Sequence, residues 1–392
     1  MPLWLIICGL GVTQIIGWGT TFYTLGALSQ DIAAATGWPE TLIFGAFSAS
    51  LLLGGAISTW AGRLVDRLGG RRVMMTGSLF GAAGLGLMGG FPSAFAYISG
   101  WLLLAFAMRF ATYDAAFASL AQITGGNARR AISYLSLFGG LSSTVFWPAS
   151  HYLGHAIGWE KTLLAYAALH LFVCLPIHAL VLRQTKPGHE PHAEAAITER
   201  TPPTGGRNRA IALFAAALAL NGLVFSSISA HVIPLFDGLG FRGEDAVFMA
   251  ALIGPSQVAS RLGEILMGRR MTPTQLGLLA FGLLPASIAL FAALGFSWEG
   301  ALVFALFYGA SNGLVTIAKG AVPLALFGPR GYGAVLGILS APSLVLNAAA
   351  PLLFAMVLAH ASAGAALLIA GGAGLASTLA MMVLSRLHPA QQ

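Results

Sequence analysis

Gly62-Arg-Leu-Val-Asp66-Arg-Leu-Gly-Gly-Arg-Arg72 joins two apolar runs, 41–62 and 73–90. Ser260-Arg-Leu-Gly-Glu264-Ile-Leu-Met-Gly-Arg-Arg270 occupies the same place between the runs 244–267 and 274–295. Shifted by 198 residues, Arg-Leu, the acid and Gly-Arg-Arg coincide at six positions. A repeat at this period, each copy following the second apolar run of its half, divides the chain into two related halves. Outward from the two stretches lie further apolar runs at 3–29, 95–123, 131–155 and 160–183, then at 209–235, 299–325, 331–357 and 361–386. A membrane-spanning helix needs about 20 apolar residues. Each half therefore holds six candidate spans joined by short loops. Between the halves, 184–208 is polar, holds four prolines and has no apolar period, as a flexible linker does.

Composition agrees. Of 392 residues, 57% are hydrophobic and 8% charged, where a soluble domain carries about 25% charged residues. The expected fold is an all-α membrane protein of 12 transmembrane helices, arranged as two pseudosymmetric six-helix bundles. The expected bundles are 1–183 and 209–392, with the 184–208 linker on the cytoplasmic face. Sixteen of the 20 Lys and Arg residues fall in or beside the even-numbered loops and the two chain ends if the amino terminus is cytoplasmic. The positive-inside rule then sets N-in, C-in in a cell (inner) membrane. The same distribution accounts for the net charge of +7 without nucleic acid as a partner. The first run lacks a basic n-region and a clear cleavage site, so it reads as a span and not a signal peptide. Cys8 and Cys174 lie inside apolar runs with no metal-ligand spacing.

The 62–72 stretch resembles the loop 2–3 motif of the major facilitator superfamily, with Gly62, Asp66, Arg67, Gly69, Arg71 and Arg72 at the matching positions. The one departure is Gly70, where that family usually has a basic residue. The resemblance implies a secondary active transporter working by alternating access, with a small-molecule substrate, no cofactor and a monomeric state. It also implies that this stretch is a conformational latch, in which Asp66 accepts hydrogen bonds from helix ends or arginines in one state only. Arg261, Glu264, Arg269 and Arg270 form the partial second-half latch.

A narrower resemblance is to the bacterial monocarboxylate-porter-like branch. It rests on Gly17-Trp18-Gly19, on Arg129-Arg130-Ala131, Gly139-Gly140, Trp147-Pro148 and Gly158-Trp159, and on Gly254 to Arg261. Where that branch has an acid four residues before Arg261, this chain has Gln257. The implied substrate is a small organic anion such as a monocarboxylate. Efflux of amphipathic drug-like compounds is the alternative within transport, although the fifth run lacks the Gly-x-x-x-Gly-Pro stretch of drug–proton antiporters. An intramembrane enzyme or a receptor is the alternative of a different class. No phosphate loop, nucleophile elbow or zinc motif supports an enzyme.

The candidate substrate-binding residues are Arg109, Tyr113, Asn312 and Lys319. Arg109 lies about 20 Å from either end of the 95–123 run at ~1.5 Å per residue. A charge there costs at least ~2.5 kcal/mol unless it faces a wet or paired site. It either faces an anionic substrate or is locked structurally to a neighbouring helix. On a continuous helix Arg109, Thr112 and Tyr113 share a face, and Asp114 stands about 140° around from Arg109, so the two are not expected to pair locally. Asp114 and His231 are the candidate proton-coupling residues, a co-transported proton being the candidate second partner beside the lipid bilayer. Lys319 can snorkel instead, and His231 precedes Pro234 in a position where a lone His is commonly structural. His151 and His155 stand one turn apart without a third ligand, so no metal is expected. Asn221, Ser311, Asn312 and Asn347 are polar residues that either line a cavity or join helices. The glycines Gly81, Gly84 and Gly86 permit close helix packing.

Overall fold

A computed structural model of the chain describes residues 2–183, 204–241, 244–267 and 271–387. Every expected run falls in helix. We number the segments α1 (Leu3–Thr36), α2 (Glu40–Leu68), α3 (Gly70–Gly90), α4 (Ala94–Thr124), α5 (128–157) and α6 (Trp159–Val181). The second half gives α7 (Thr204–Gly238), α8 (Glu244–Met267), α9 (Pro273–Ala293), α10 (Trp298–Phe327), α11 (Tyr332–His360) and α12 (Ala363–Leu387). Ten of these are long and apolar enough to cross a membrane. The other two are α5, which divides at Leu141 into pieces of 13 and 16 residues, and α8, which carries Ser256, Gln257, Ser260, Arg261 and Glu264 along its length. Large apolar side chains such as Phe95, Phe172, Leu266 and Leu368 are exposed, as they must be where the surroundings are lipid and not water.

The expected linker 184–208 lies outside the described residues up to 203, and its last five residues are already the first turn of α7. A polar first helical turn carries no apolar period, so the helix start was invisible to hydropathy.

Two compact units are resolved: residues 1–198 with Gly328–Gly337, and residues 199–327 with 338–392. In the first unit, close packing depends on small residues. Gly84 in α3 and Gly100 in α4 are so near that a Cβ on either would lie 2.8 Å from the other's carbonyl oxygen. Gly81 is filled by the ring of His170. Tyr97, Trp101, Trp159 and Tyr166 build the aromatic core of this unit.

The helices are not regular rods. α1 contains a π-turn at Gly19–Tyr23 and α6 another at His170–Cys174. Around the first, Thr20, Thr21 and Thr24 donate their hydroxyls to carbonyls of the preceding turn, a bonding pattern that bends helices. α7 is kinked at His231, whose φ of −124° and ψ of 21° are non-helical. Pro234 follows three residues on in the sequence and has no backbone N–H to donate. In the second unit, Gly309 and Gly313 of α10 sit against α8, where a Cβ would come within 2.5 Å of the Ile253 and Gln257 carbonyls. Its core is the Phe236, Phe291, Phe304 and Tyr308 cluster.

Candidate functional site

The break in α4 builds the site. The helix runs to Ala111, Thr112 is extended (φ −95°, ψ −162°), and a second helical piece starts at Tyr113. That break overturns the expected geometry. Arg109 and Asp114 are not 140° apart on one rod, because an extended residue between them resets the helical register. Arg109 Nη1 instead donates to Asp114 Oδ2 at 3.0 Å, with the two side chains 7% and 11% exposed. Nor do Arg109, Thr112 and Tyr113 share a helical face. Asp114 stands in the first turn of the new piece, where the free amides of a helix start favour a carboxylate. The Arg109 side chain lies against Gly54 of α2, 3.8 Å from where a Cβ there would stand.

α1 crosses α4 at the break. Gln14 Nε2 donates to the Ala111 carbonyl at 2.9 Å, satisfying a backbone acceptor at the end of a helical piece. The Trp18 ring lies 5.3 Å from the Tyr113 ring. The Tyr113 hydroxyl donates to the Ser136 carbonyl of α5 at 3.1 Å and fills the space left by Gly139. Gln14 Oε1 and Trp18 Nε1 on α1 and Arg109 Nε on α4 are buried with no hydrogen-bond partner among the described residues.

The second-unit candidates form a separate group. Asn312 Nδ2 donates to Gln257 Oε1 at 2.9 Å. Arg261, 3% exposed, donates from Nε to the Gly313 carbonyl and from Nη2 to Thr316 Oγ1, both at 3.4 Å. Gln257 and Arg261 thus tie α8 to α10. Lys319 is partly buried on α10. His231 Nδ1 bonds the Ser227 carbonyl at 3.1 Å, and its ring lies 5.8 Å from Phe354. Ser311 donates to the Ala280 carbonyl. The Asn347 amide nitrogen faces the Ser343 and Gly222 carbonyls at 3.1 and 2.9 Å. These last two join helices, while the Asn221 amide nitrogen is buried without a partner among the described residues.

The latch stretch is part of the first unit. Gly333 and Ala334, in the first turn of α11, donate their amides to Asp66 Oδ1 and Oδ2 at 2.9 and 2.8 Å. Gly62 of α2 has no room for a side chain, since a Cβ would overlap the Gly333 carbonyl. Gly69 makes the α2–α3 turn with φ +79°, a conformation that glycine alone adopts cheaply. Gly70, the departure from the family pattern, packs against Ser119 of α4, and a Cβ there would overlap its Oγ. A basic residue does not fit. Arg67, Arg71 and Arg72 are exposed. Glu264 is 8% exposed on α8. Arg269 and Arg270 lie outside the described residues.

Sequence reasoning missed His170 and His178. Both are 1% exposed on α6, with His170 Nε2 2.7 Å from Thr20 Oγ1 and His178 Nδ1 2.9 Å from Ser78 Oγ. It also passed over Gln14, although a glutamine in the middle of the first apolar run was the available signal. His151 and His155 stack at 4.4 Å between ring centroids, and no metal-binding group of three or more ligands occurs among the described residues.

Comparison with known proteins fits this architecture. No curated protein sequence matches the chain. Among solved structures, that of the human organic anion transporter MFSD10 (TETRAN) superposes with TM-score 0.76 at 19% identity, covering 97% of this chain and 100% of that one. The proton:xylose symporter XylE gives TM-score 0.76 at 14% identity over 97% and 95% of the two chains. The transporter FucP in its outward conformation gives 0.70 at 14% over 100% and 99%. At these identities the likeness establishes the fold. The family model of the Major Facilitator Superfamily matches residues 10–295, and the chain belongs to that superfamily of secondary transporters.

Proposed function

We propose that the chain moves a small organic anion, a monocarboxylate being the simplest, by alternating access, and that Asp114 exchanges a proton as it does so. The observation that carries this reading is the buried Arg109–Asp114 ion pair at the α4 break. Empty, the pair is neutral. A carboxylate added to the intact pair would leave one uncompensated negative charge in a low-dielectric interior, which is strongly unfavourable. A proton on Asp114 removes that charge and frees the Arg109 guanidinium to grip the carboxylate with parallel hydrogen bonds. Anion and proton then move together with no net charge. The solved neighbours do not choose the substrate, since one is an organic anion transporter and another a proton:xylose symporter.

Proteoliposomes given an inward gradient of acetate or propanoate should show a proton flux with the anion. In Asp114→Asn, exchange of labelled for unlabelled anion should continue while the coupled proton flux disappears. Anion affinity, which in the unaltered protein falls as pH rises and Asp114 reclaims Arg109, should become flat with pH. An unchanged proton flux in Asp114→Asn would sink the coupling role.

In this reading 1–183 and 209–392 are the two bundles that move against each other, and the protein lies N-in, C-in in the cell membrane. Asn208 and Asp237 are exposed near the two ends of α7. With Cys8 and Cys174 replaced, Asn208→Cys and Asp237→Cys should react with an impermeant thiol reagent from opposite sides, position 237 alone in intact cells. Labelling of both from one side would overturn the orientation.

A further inference from the structure

α1 and α5 pack together near their C-terminal ends, Thr36 and Ile157. Gly154 of α5 is buried at that contact, and a Cβ on it would lie 2.7 Å from Asp31 Oδ2 and 2.8 Å from Leu28 Cδ2 of α1. His151 and His155 flank Gly154 in the sequence and are exposed. Side chains four residues apart are neighbours on one helix face. Here the two rings meet edge to face, with centroids 4.4 Å apart. Neither imidazole makes a hydrogen bond or ion pair with another described residue, and nor does the Asp31 carboxylate. Spacing along the chain left the two histidines without a further polar neighbour, and the fold adds a carboxylate from another helix.

We infer that His151 and His155 bind a late first-row divalent cation, Cu2+ ahead of Ni2+ and Zn2+, and that Asp31 holds a water on that cation. A neutral imidazole keeps one ring nitrogen as an acceptor, and it is the commonest metal ligand among side chains. Two of them at this spacing on a helix reach one ion, as they do in helical zinc sites. Each nitrogen must come to about 2.0–2.1 Å from the metal, and rings already in contact reach that by side-chain rotation. Imidazole suits copper, nickel and zinc, whereas magnesium and calcium require oxygen ligands. Water completes the coordination. Asp31 is not a direct third ligand, since no group of three or more gathers among the described residues. Its place is in the outer shell, where a carboxylate accepts a hydrogen bond from a metal-bound water and strengthens binding. The carbonyl ends of both helices add negative partial charge that favours a cation. A bound ion therefore fastens the last turns of α1 to α5. The site is independent of Arg109 and of the anion reading.

The test uses the purified full chain in detergent, without a polyhistidine tag and in a buffer that does not chelate. The probes are Cu2+, Ni2+ and Zn2+, with Mg2+ as the control. Calorimetry gives the affinity, and the electron paramagnetic resonance of bound Cu2+ counts its nitrogen ligands. The chain holds nine histidines, so the variants decide which of them bind. The unaltered protein should bind Cu2+ through two imidazole nitrogens, more tightly than Ni2+ or Zn2+, and should not bind Mg2+ there. His151→Asn and His155→Asn should each lose the two-nitrogen spectrum. Their metal-free melting temperatures should stay unchanged, because both side chains are exposed. Asp31→Asn should keep the spectrum and bind about tenfold more weakly. An unchanged affinity and spectrum in the double variant His151→Asn/His155→Asn would place the ion on other histidines and overturn the inference. So would a failure of the unaltered protein to bind Cu2+. Full affinity in Asp31→Asn overturns the part given to Asp31.

Discussion

Arg109→Ala should abolish uptake or efflux of an organic anion while the protein still inserts and purifies as a monodisperse species. Arg109→Lys should keep the charge and lose about tenfold in affinity, because an ammonium cannot reproduce the planar two-point grip of a guanidinium. The pair with Asp114 complicates the alanine variant. Removing one partner of a buried ion pair leaves the other uncompensated, at a cost of about 3–5 kcal/mol. Here the lower end applies, since Asp114 stands in the first turn of the 113–124 helix and its amides and dipole partly balance the charge.

The double variant Arg109→Ala/Asp114→Ala separates the two roles of the arginine. It removes both charges together, so it should regain most of the thermal stability that Arg109→Ala loses. Transport should stay absent in it, because no guanidinium is left to meet the substrate. The measurement is the substrate-induced thermal shift of the unaltered protein, of Arg109→Lys, of Arg109→Ala and of the double variant. A full shift in the double variant would show that the anion binds elsewhere and that the pair is a structural strut.

The sequence legibility of this molecule follows from what sets each feature. Ten helices among the described residues are long and apolar enough to span, as expected where lipid imposes a length and a hydropathy, and α8, which is not among them, still coincides with its expected run at 244–267. The 62–72 motif was readable because it is local, with glycines at a turn and an acid at a fixed spacing. That Asp66 meets helix-end amides follows from its chemistry, but which helix end does not, since Gly333 lies 267 residues away. The Arg109–Asp114 pair was misjudged because hydropathy treats 95–123 as one rod. Nothing in the string Phe-Ala-Thr-Tyr announces an extended threonine, as there is no proline or glycine at the break. The reason is tertiary. Gln14, 97 residues away, donates its amide N–H to the freed Ala111 carbonyl, and that bond is legible only once α1 is known to cross α4 there. Gly70 shows the same limit in the other direction. From the sequence it is only a departure from a family pattern, whereas its surroundings show a close contact with Ser119, against which a Cβ would overlap.

Asp66→Asn should leave the protein folded and inserted but cut transport by about tenfold or more at equal membrane abundance. The carboxylate accepts two amides from the first turn of α11, one on each oxygen. Both are charge-assisted, and both lie where the helix dipole favours a negative group. Asparagine can accept only one of them. Its NH2 must face the other N–H, so one buried donor loses its partner and the charge term vanishes. Bonds to charged groups contribute about 1.5–3 kcal/mol each. A loss of about 3 kcal/mol shifts a two-state equilibrium by about two orders of magnitude if the bonds exist in one state only. The glycines argue that they do belong to one arrangement. Gly62, Gly333 and Gly337 let α2 and the start of α11 approach backbone to backbone, a contact that Asp66 fastens with two hydrogen bonds. Glu264→Gln should do less, because the 260–270 repeat keeps the acid and three of the four arginines but has Ile265 for Arg67 and Ser260 for Gly62. The two variants should be compared with the unaltered protein for transport and for trypsin or thiol accessibility of α11's first turn. Normal transport by Asp66→Asn would remove the latch role, and so would an equal loss in both variants, which would point to a general effect of removing a loop charge. A transport defect confined to Asp66→Asn, with raised accessibility at Gly333 and Ala334, is the expected pattern.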